Sequence, residues 1–193
     1  SAASARERWT AFWNGKPLGR PCLTITAPSG KQVAFPTPVS GEQKWRDPEF
    51  VVRGMLAGYE ATWYGGEAIP SSLLMAGWAV NDYGATPNFP MDTIWFEPMK
   101  VDWSHPPAFE PDYQSECFRK VLALPQAAQA AAGRDNFMVG HGCFLPGNDM
   151  LPLLIGSQEF LYALSDRPEW TRSAIMKLAQ NRVDFLHYFH NLA

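Results

Sequence analysis

One short loop in this chain gathers the residue types that chemistry uses: His141-Gly-Cys143-Phe144, followed closely by Asp149. An imidazole titrates near neutrality, so His141 can exchange a proton with a substrate or offer a metal its free nitrogen. Cys143, once ionised, is a nucleophile or a soft metal ligand. Asp149 is placed to orient the imidazole or to bind substrate, and Phe144 offers an apolar ring to a flat ligand. The glycines on either side of His141 allow a ligand to approach the backbone closely. Each residue also has a plain reading. His141 braces its loop, Cys143 is an inert buried thiol, Phe144 packs in a core and Asp149 caps the helix that follows. Further carboxylates, Glu67, Asp82, Asp92 and Glu97, and the rings of Trp78, Tyr83 and Trp95, lie near strand or loop ends. They are candidates for substrate contact, set against solvated or capping acids and core aromatics. His187 and His190 stand at helical spacing near the end of the chain, where a helix C-terminus favours them.

The elements around that loop explain how it would be presented. Asn136–Gly140 is a short apolar run of strand length, and from Asp149 the spacing turns helical, with Gly156 before a second helix. A strand feeding a Gly-punctuated loop and then a helix is the repeating unit of α/β folds. In those folds chemistry is placed beyond the carboxyl end of the strand. Towards the N-terminus, Ser4 and Glu7 fit a capping box for a helix carrying Arg8, Trp9, Phe12 and Trp13 and ending at Asn14-Gly15. Pro21–Ala27 reads as a strand, and Lys31–Val39 as a Pro-rich ribbon. Asp47-Pro48 is an N-cap followed by proline at the first helical position. The helix it opens carries Val52, Met55, Leu56, Tyr59 and Trp63 and ends at Gly65-Gly66. Glu67–Ser71 and Thr93–Phe96 are further strand candidates. Asp112 caps a helix through Ala132, kinked or split at Pro125, and Asp166-Arg-Pro-Glu169 starts a last helix to about Leu192. Strands alternate with helices long enough to be crossovers, so a parallel sheet is expected, either open or closed into a barrel.

Composition bounds the function. The chain has 193 residues, 46% hydrophobic and 18% charged, with a formal net charge of −3. That suits one globular domain and lacks the basic stripe a nucleic-acid partner needs. No apolar run approaches ~20 residues, and no basic-then-apolar leader is present. Three widely spaced cysteines, Cys22, Cys117 and Cys143, make neither a disulfide framework nor a CxxC pair, so a reducing cytoplasm is the expected home. Eight Trp and 17 Pro are less ordinary. Aromatics in that number suit a chain that lines a pocket as well as a core.

Four segments carry a resemblance: ARERWTAFWNGKPLGRPCLTITAP, WRDPEFVVRGMLAGYEATWYGGEAIP, DTIWFEPMKVDWSHPPAFEPD and VGHGCFLPGNDMLPLLIGSQEFLYALSDRPEW. In this order they resemble the uroporphyrinogen decarboxylase-like superfamily, particularly its divergent branch; the superfamily also includes cobalamin-dependent methyltransferases. The resemblance implies a (β/α)8 barrel of TIM type with its site at the carboxyl ends of the strands. It implies decarboxylation-type lyase chemistry on a small-molecule or tetrapyrrole-related substrate; the residues' own chemistry and positions offer His141, Cys143 and Asp149 as catalytic candidates and Glu67, Trp95, Glu97 and Phe144 as substrate contacts. Where the decarboxylases carry arginines, the equivalent Ile25–Gly30 has none, and Ile69–Leu73 lacks the family's acid. Eight porphyrin carboxylates would therefore lack their matching forks here. The alternatives are a cobalamin-dependent methyltransferase or a non-catalytic relative that binds a ligand or corrinoid. In the methyltransferases a His-x-Cys pair helps hold zinc, and His141-Gly-Cys143 has that local form. No metal ligand is assigned; zinc or a corrinoid enters only with the methyltransferase reading.

A (β/α)8 barrel takes ~250 residues or more, and this chain offers far fewer than eight strand candidates. Residues 1–193 are therefore expected to be a single domain forming the N-terminal part of such a barrel. Its open edges and inner face would be covered by self-association or by a missing C-terminal half.

Overall fold

The computed structural model describes residues 2–72, 83–135, 137–140 and 147–192. Helix α1 (Ala2–Trp13) opens the chain. It begins ahead of the expected cap, so Ser4 lies inside it, and it ends where Asn14-Gly15 was expected to stop it. Strand β1 is Thr24–Pro28, shifted by a few residues from the expected Pro21–Ala27. Residues 31–38 form no regular element.

Two capped helices follow. In α2 (Gly41–Arg46) the Ser40 hydroxyl accepts the Gln43 N–H, a cap the sequence reading did not single out. In α3 (Pro48–Ala61) the Asp47 carboxylate accepts the Phe50 N–H at 3.0 Å with Pro48 in the first turn, as the Asp-Pro pair implies. The helical periodicity of α3 stops earlier than Gly65-Gly66. Residues Thr62–Gly66 form β2, which turns back against β1 in an antiparallel register from Thr24↔Gly66 to Pro28↔Thr62. Trp63 therefore belongs to a strand and not to the helix. Its β-branched and aromatic neighbours, Thr62 and Tyr64, suit a pleated ribbon better than a fifth helical turn.

Strand β3 is the dipeptide Ser71–Ser72. After residue 83 comes a hairpin-like ribbon, β4 (Thr86–Asn88) against β5 (Trp95–Glu97), antiparallel. Helix α4 (Glu116–Asp135) runs through Pro125 without a break. It starts later than expected: Asp112 accepts the Gln114 N–H, while the Ser115 hydroxyl accepts the Phe118 N–H and does the capping. Strand β6 (Met138–Val139) then pairs in parallel with β3, Ser71 opposite Met138 and Ser72 opposite Val139. Helices α5 (Gly147–Ile155), α6 (Ser157–Asp166) and α7 (Pro168–Leu192) complete the chain.

Among the described residues the strands thus form three two-stranded sheets, two antiparallel and one parallel. The expectation that strand–helix alternation means parallel pairing holds only for β3 and β6. β2 follows α3 without a loop and lies antiparallel on β1, from which α2 and α3 separate it, while β4 and β5 are antiparallel because a short connection joins them. Short links permit only antiparallel neighbours.

Apolar burial is divided between two clusters. One joins α4, α7 and the residue before β6 through Phe118, Leu122, Leu124, Ala128, Phe137 and Phe185, with Val52, Met55, Leu56 and Tyr59 of α3 against it. The other joins α5 and α7 to residues 83–109 through Leu151, Leu154, Ile155, Leu178, Ala85 and Phe109. Phe109 adopts φ 53°, unusual for a bulky residue. Its buried ring and the Asn181 amide donating to its carbonyl at 2.7 Å hold it there. No helix among the described residues is long and apolar enough to cross a membrane.

Candidate functional site

The most densely bonded side chain described is Glu67, just past the end of β2. Gly66 before it adopts φ 63°, and a Cβ there would collide with the Leu23 carbonyl. Only glycine lets the strand turn so closely under β1. The turn carries Glu67 beneath α1, where it is 2% exposed. Arg8 Nε donates to Oε1 at 2.8 Å and Arg20 Nη1 donates to Oε2 at 2.9 Å, with Arg20 Nη2 reaching Oε1 as well. The Leu23 N–H donates to Oε2 at 2.8 Å. The Glu67 backbone is used too, its carbonyl accepting the Trp9 indole N–H at 2.8 Å and its N–H bonding the Leu23 carbonyl at 2.7 Å. The Arg20 guanidinium, then the Leu23 N–H, hold the Glu67 carboxyl down at about 2. Such a carboxylate is ionised at any physiological pH, with both oxygens already engaged. It ties α1, the segment through Arg20 and β1 to the end of β2, in a place where a substrate contact had been expected.

The β3–β6 pair is the second focus. At its amino end the Pro70 carbonyl accepts the Met138 N–H at 2.8 Å. At its carboxyl end the Ser72 hydroxyl accepts the Gly140 N–H at 3.0 Å. A Cβ on Gly140 would lie 2.9 Å from the Ser72 carbonyl oxygen. The glycine before His141 therefore serves the close approach of the neighbouring strand. Alternation divides the pair's faces. Val139 packs towards the α3–α4 cluster and Ser72 is buried, whereas Ser71 and Met138 face the other way and are exposed.

His141, Cys143 and Phe144 lie outside the described residues, as do Trp78 and Asp82. Asp149 is exposed in the first turn of α5, where the helix dipole favours a negative charge, and its Oδ1 accepts the Asn148 amide at 3.1 Å. It is a first-turn acid and not the cap, because the helix already begins at Gly147. Trp95 is 64% exposed on β5. Glu97, also exposed, accepts the Asn88 amide across the ribbon at 2.9 Å. Tyr83 packs edge-on against Phe109. Among the described residues no three His, Cys, Asp or Glu side chains gather into a metal-ligand set.

One described trio imitates a catalytic arrangement and is a turn. Ser104 Oγ donates to Asp102 Oδ1 at 2.5 Å, and His105 Nδ1 lies 3.4 Å from Asp102 Oδ2. Ser104 Oγ also lies 3.2 Å from His105 Nδ1, the same ring nitrogen that faces Asp102, whereas a triad uses the two imidazole nitrogens separately, so no relay is formed. All three residues are exposed.

A cavity of about 750 Å³ opens between α1 and the amino end of the β3–β6 pair. Arg6, Trp9, Thr10 and Trp13 line it from one stripe of α1, at the i, i+3, i+4 and i+7 spacing of a single helix face. Ile69, Ser71 and Met138 line it from the strands. The sequence reading recognised the α1 tryptophans as helical but not as a cavity wall. It also missed Arg8 and Arg20 as the partners of Glu67. The partners are separated by 59 and 47 positions, and no local spacing signals contacts of that range. No protein-family model, curated protein or solved structure matches this chain.

Proposed function

We propose that the chain is the N-terminal part of a uroporphyrinogen decarboxylase-like barrel whose strand-end loop acts on a small-molecule or tetrapyrrole-related substrate by decarboxylation-type lyase chemistry. The observation that carries this reading is the parallel pairing of β3 with β6. Two parallel strands need a long crossover, and here that crossover includes α4, which packs on the same side of the pair as α3. The pairing brings both carboxyl ends, at Ser72 and Gly140, to one edge. That is the position from which α/β enzymes present their chemistry. The Ser72–Gly140 bond clips the two ends together just before His141.

In such a site, loss of CO2 leaves an electron pair on carbon that must be delocalised by the substrate and then protonated. His141 is the proton donor in this reading, and Cys143 and Asp149 are the neighbouring groups able to orient it or the substrate. The second reading is corrinoid-linked methyl transfer, favoured by the His141-Gly-Cys143 spacing. Zinc held there would favour the thiolate form of an acceptor thiol.

The test is an assay of CO2 release from porphyrinogens bearing few carboxylates, run on the protein and on His141→Ala alongside thermal melting. Loss of turnover at an unchanged melting temperature supports the reading. A His141→Ala variant that melts several degrees lower yet retains turnover assigns the residue to structure. Stoichiometric zinc with a corrinoid absorbance band would select methyl transfer instead. Light scattering tests the partial barrel, since a strictly monomeric, cooperatively folding 193-residue chain would count against it.

A further inference from the structure

We propose that the cavity between α1 and the β3–β6 pair binds a small aromatic carboxylate, its ring against Trp13 and its carboxylate on Arg6. The proposal rests on this cavity alone and not on the barrel reading or on the strand-end loop. About 750 Å³ falls within the ~300–1,000 Å³ of small-molecule sites.

The walls are of the kind such a ligand needs. Trp9 is fixed by its indole bond to the Glu67 carbonyl and meets Phe12 edge-on at 5.7 Å, and Phe12 in turn meets Trp13 at 5.2 Å. The aromatic row is thus braced from behind while Trp13 remains 79% exposed at the cavity. An indole that open to water has much apolar surface to gain by covering. Met138 and Ile69 supply the opposite apolar side.

Charge selects an anion. Arg6 and Glu67 are the charged residues of the lining. Glu67 is already neutralised by Arg8 and Arg20, which hold both its oxygens. Arg6 has no side-chain partner among the described residues. The cavity lining and the groups bonded to it therefore carry three guanidiniums, Arg6, Arg8 and Arg20, against the one carboxylate of Glu67, in a chain whose net charge is −3. A planar fork without a partner matches a carboxylate in a two-pronged geometry. With Arg6 and Trp13 seven residues apart on one helix face, about two turns or ~10 Å, a bicyclic ring with one carboxylate spans the distance between them.

The probe is 2-naphthoate, followed by isothermal titration calorimetry and compared with neutral 2-naphthamide on the unaltered protein. The expected result is one site per chain, with the carboxylate bound roughly tenfold or more tighter than the amide, as a charge-assisted hydrogen-bonded pair implies. Arg6→Gln should abolish that preference, and Trp13→Ala should weaken both ligands, each variant melting like the parent because both side chains are exposed. Equal binding of acid and amide, or no binding at millimolar concentration, would overturn the proposal. So would a sedimentation profile showing a dimer that Trp13→Ala dissociates, since a second copy would then be the occupant. None of these results touches His141, so failure here and failure of the strand-end chemistry are separable.

Discussion

Ser71 and Ser72 are chemically identical neighbours, yet the structure gives them opposite roles, and replacing each with alanine should reveal it. Ser72 is 3% exposed and accepts the Gly140 N–H at 3.0 Å, while Ser71 faces the open cavity. Ser72→Ala removes an acceptor and leaves that N–H without its partner, which costs about 1–3 kcal/mol when water cannot replace it. Gly140 is half-buried, so partial hydration places the loss nearer 1–2 kcal/mol. For a domain of this size each kcal/mol moves the melting temperature by about 2–4 °C. Ser72→Ala should therefore melt roughly 2–8 °C below the parent, whereas Ser71→Ala should lie within about 1 °C of it. Circular dichroism melts of the two variants provide the comparison. Hydrogen exchange at the Gly140 amide adds a local readout, since only Ser72→Ala should accelerate it. Equal melting temperatures for the two variants, or unchanged exchange at Gly140, would refute the assignment of faces and with it the clip at the carboxyl ends.

Acid should release α1 through Glu67. Its folded carboxyl titrates at about 2 against an ordinary 4.5, so its stabilisation is complete above pH ~4.5 and is lost as the pH falls towards 2. Melting temperature measured across that window should fall more steeply for the parent than for Glu67→Gln, and parallel slopes would contradict the triad. Two helical glycines should respond with opposite signs. Gly133→Ala in α4 meets nothing within 4 Å and should stabilise by a few tenths up to about 1 kcal/mol. Gly147→Ala would place a Cβ against the Ile175 carbonyl, so urea titration should show destabilisation despite alanine's better helix propensity. Asp47→Ala should cost about 1 kcal/mol in the same titration by removing the cap of α3.

What the chain reveals on its own is what nearby residues decide. Asp47-Pro48 starts α3, Asn14-Gly15 ends α1, Gly156 separates α5 from α6, and Pro168 opens the last helix; each signal acts within one helical turn. The apolar periodicity of Val52, Met55, Leu56 and Tyr59 likewise names the buried face of α3, because that face follows from 3.6 residues per turn whatever the partner. Strand partners were not legible in the same way. An apolar pentad such as Asn136–Gly140 reads as a strand, but whether it finds a parallel or an antiparallel neighbour depends on chain segments far away. The antiparallel return of β2 on β1 took Trp63 out of a helix that its spacing alone would have extended. Glu67 shows the limit most sharply. Its residue type and place near a strand end suggested a substrate contact, and only the tertiary structure brought Arg8, Arg20 and the Leu23 N–H onto it. The reason is physical: a carboxylate's role is set by which donors surround it. Those donors arrive from α1 and from the segment before β1, which contact meets Glu67 only when the chain has folded.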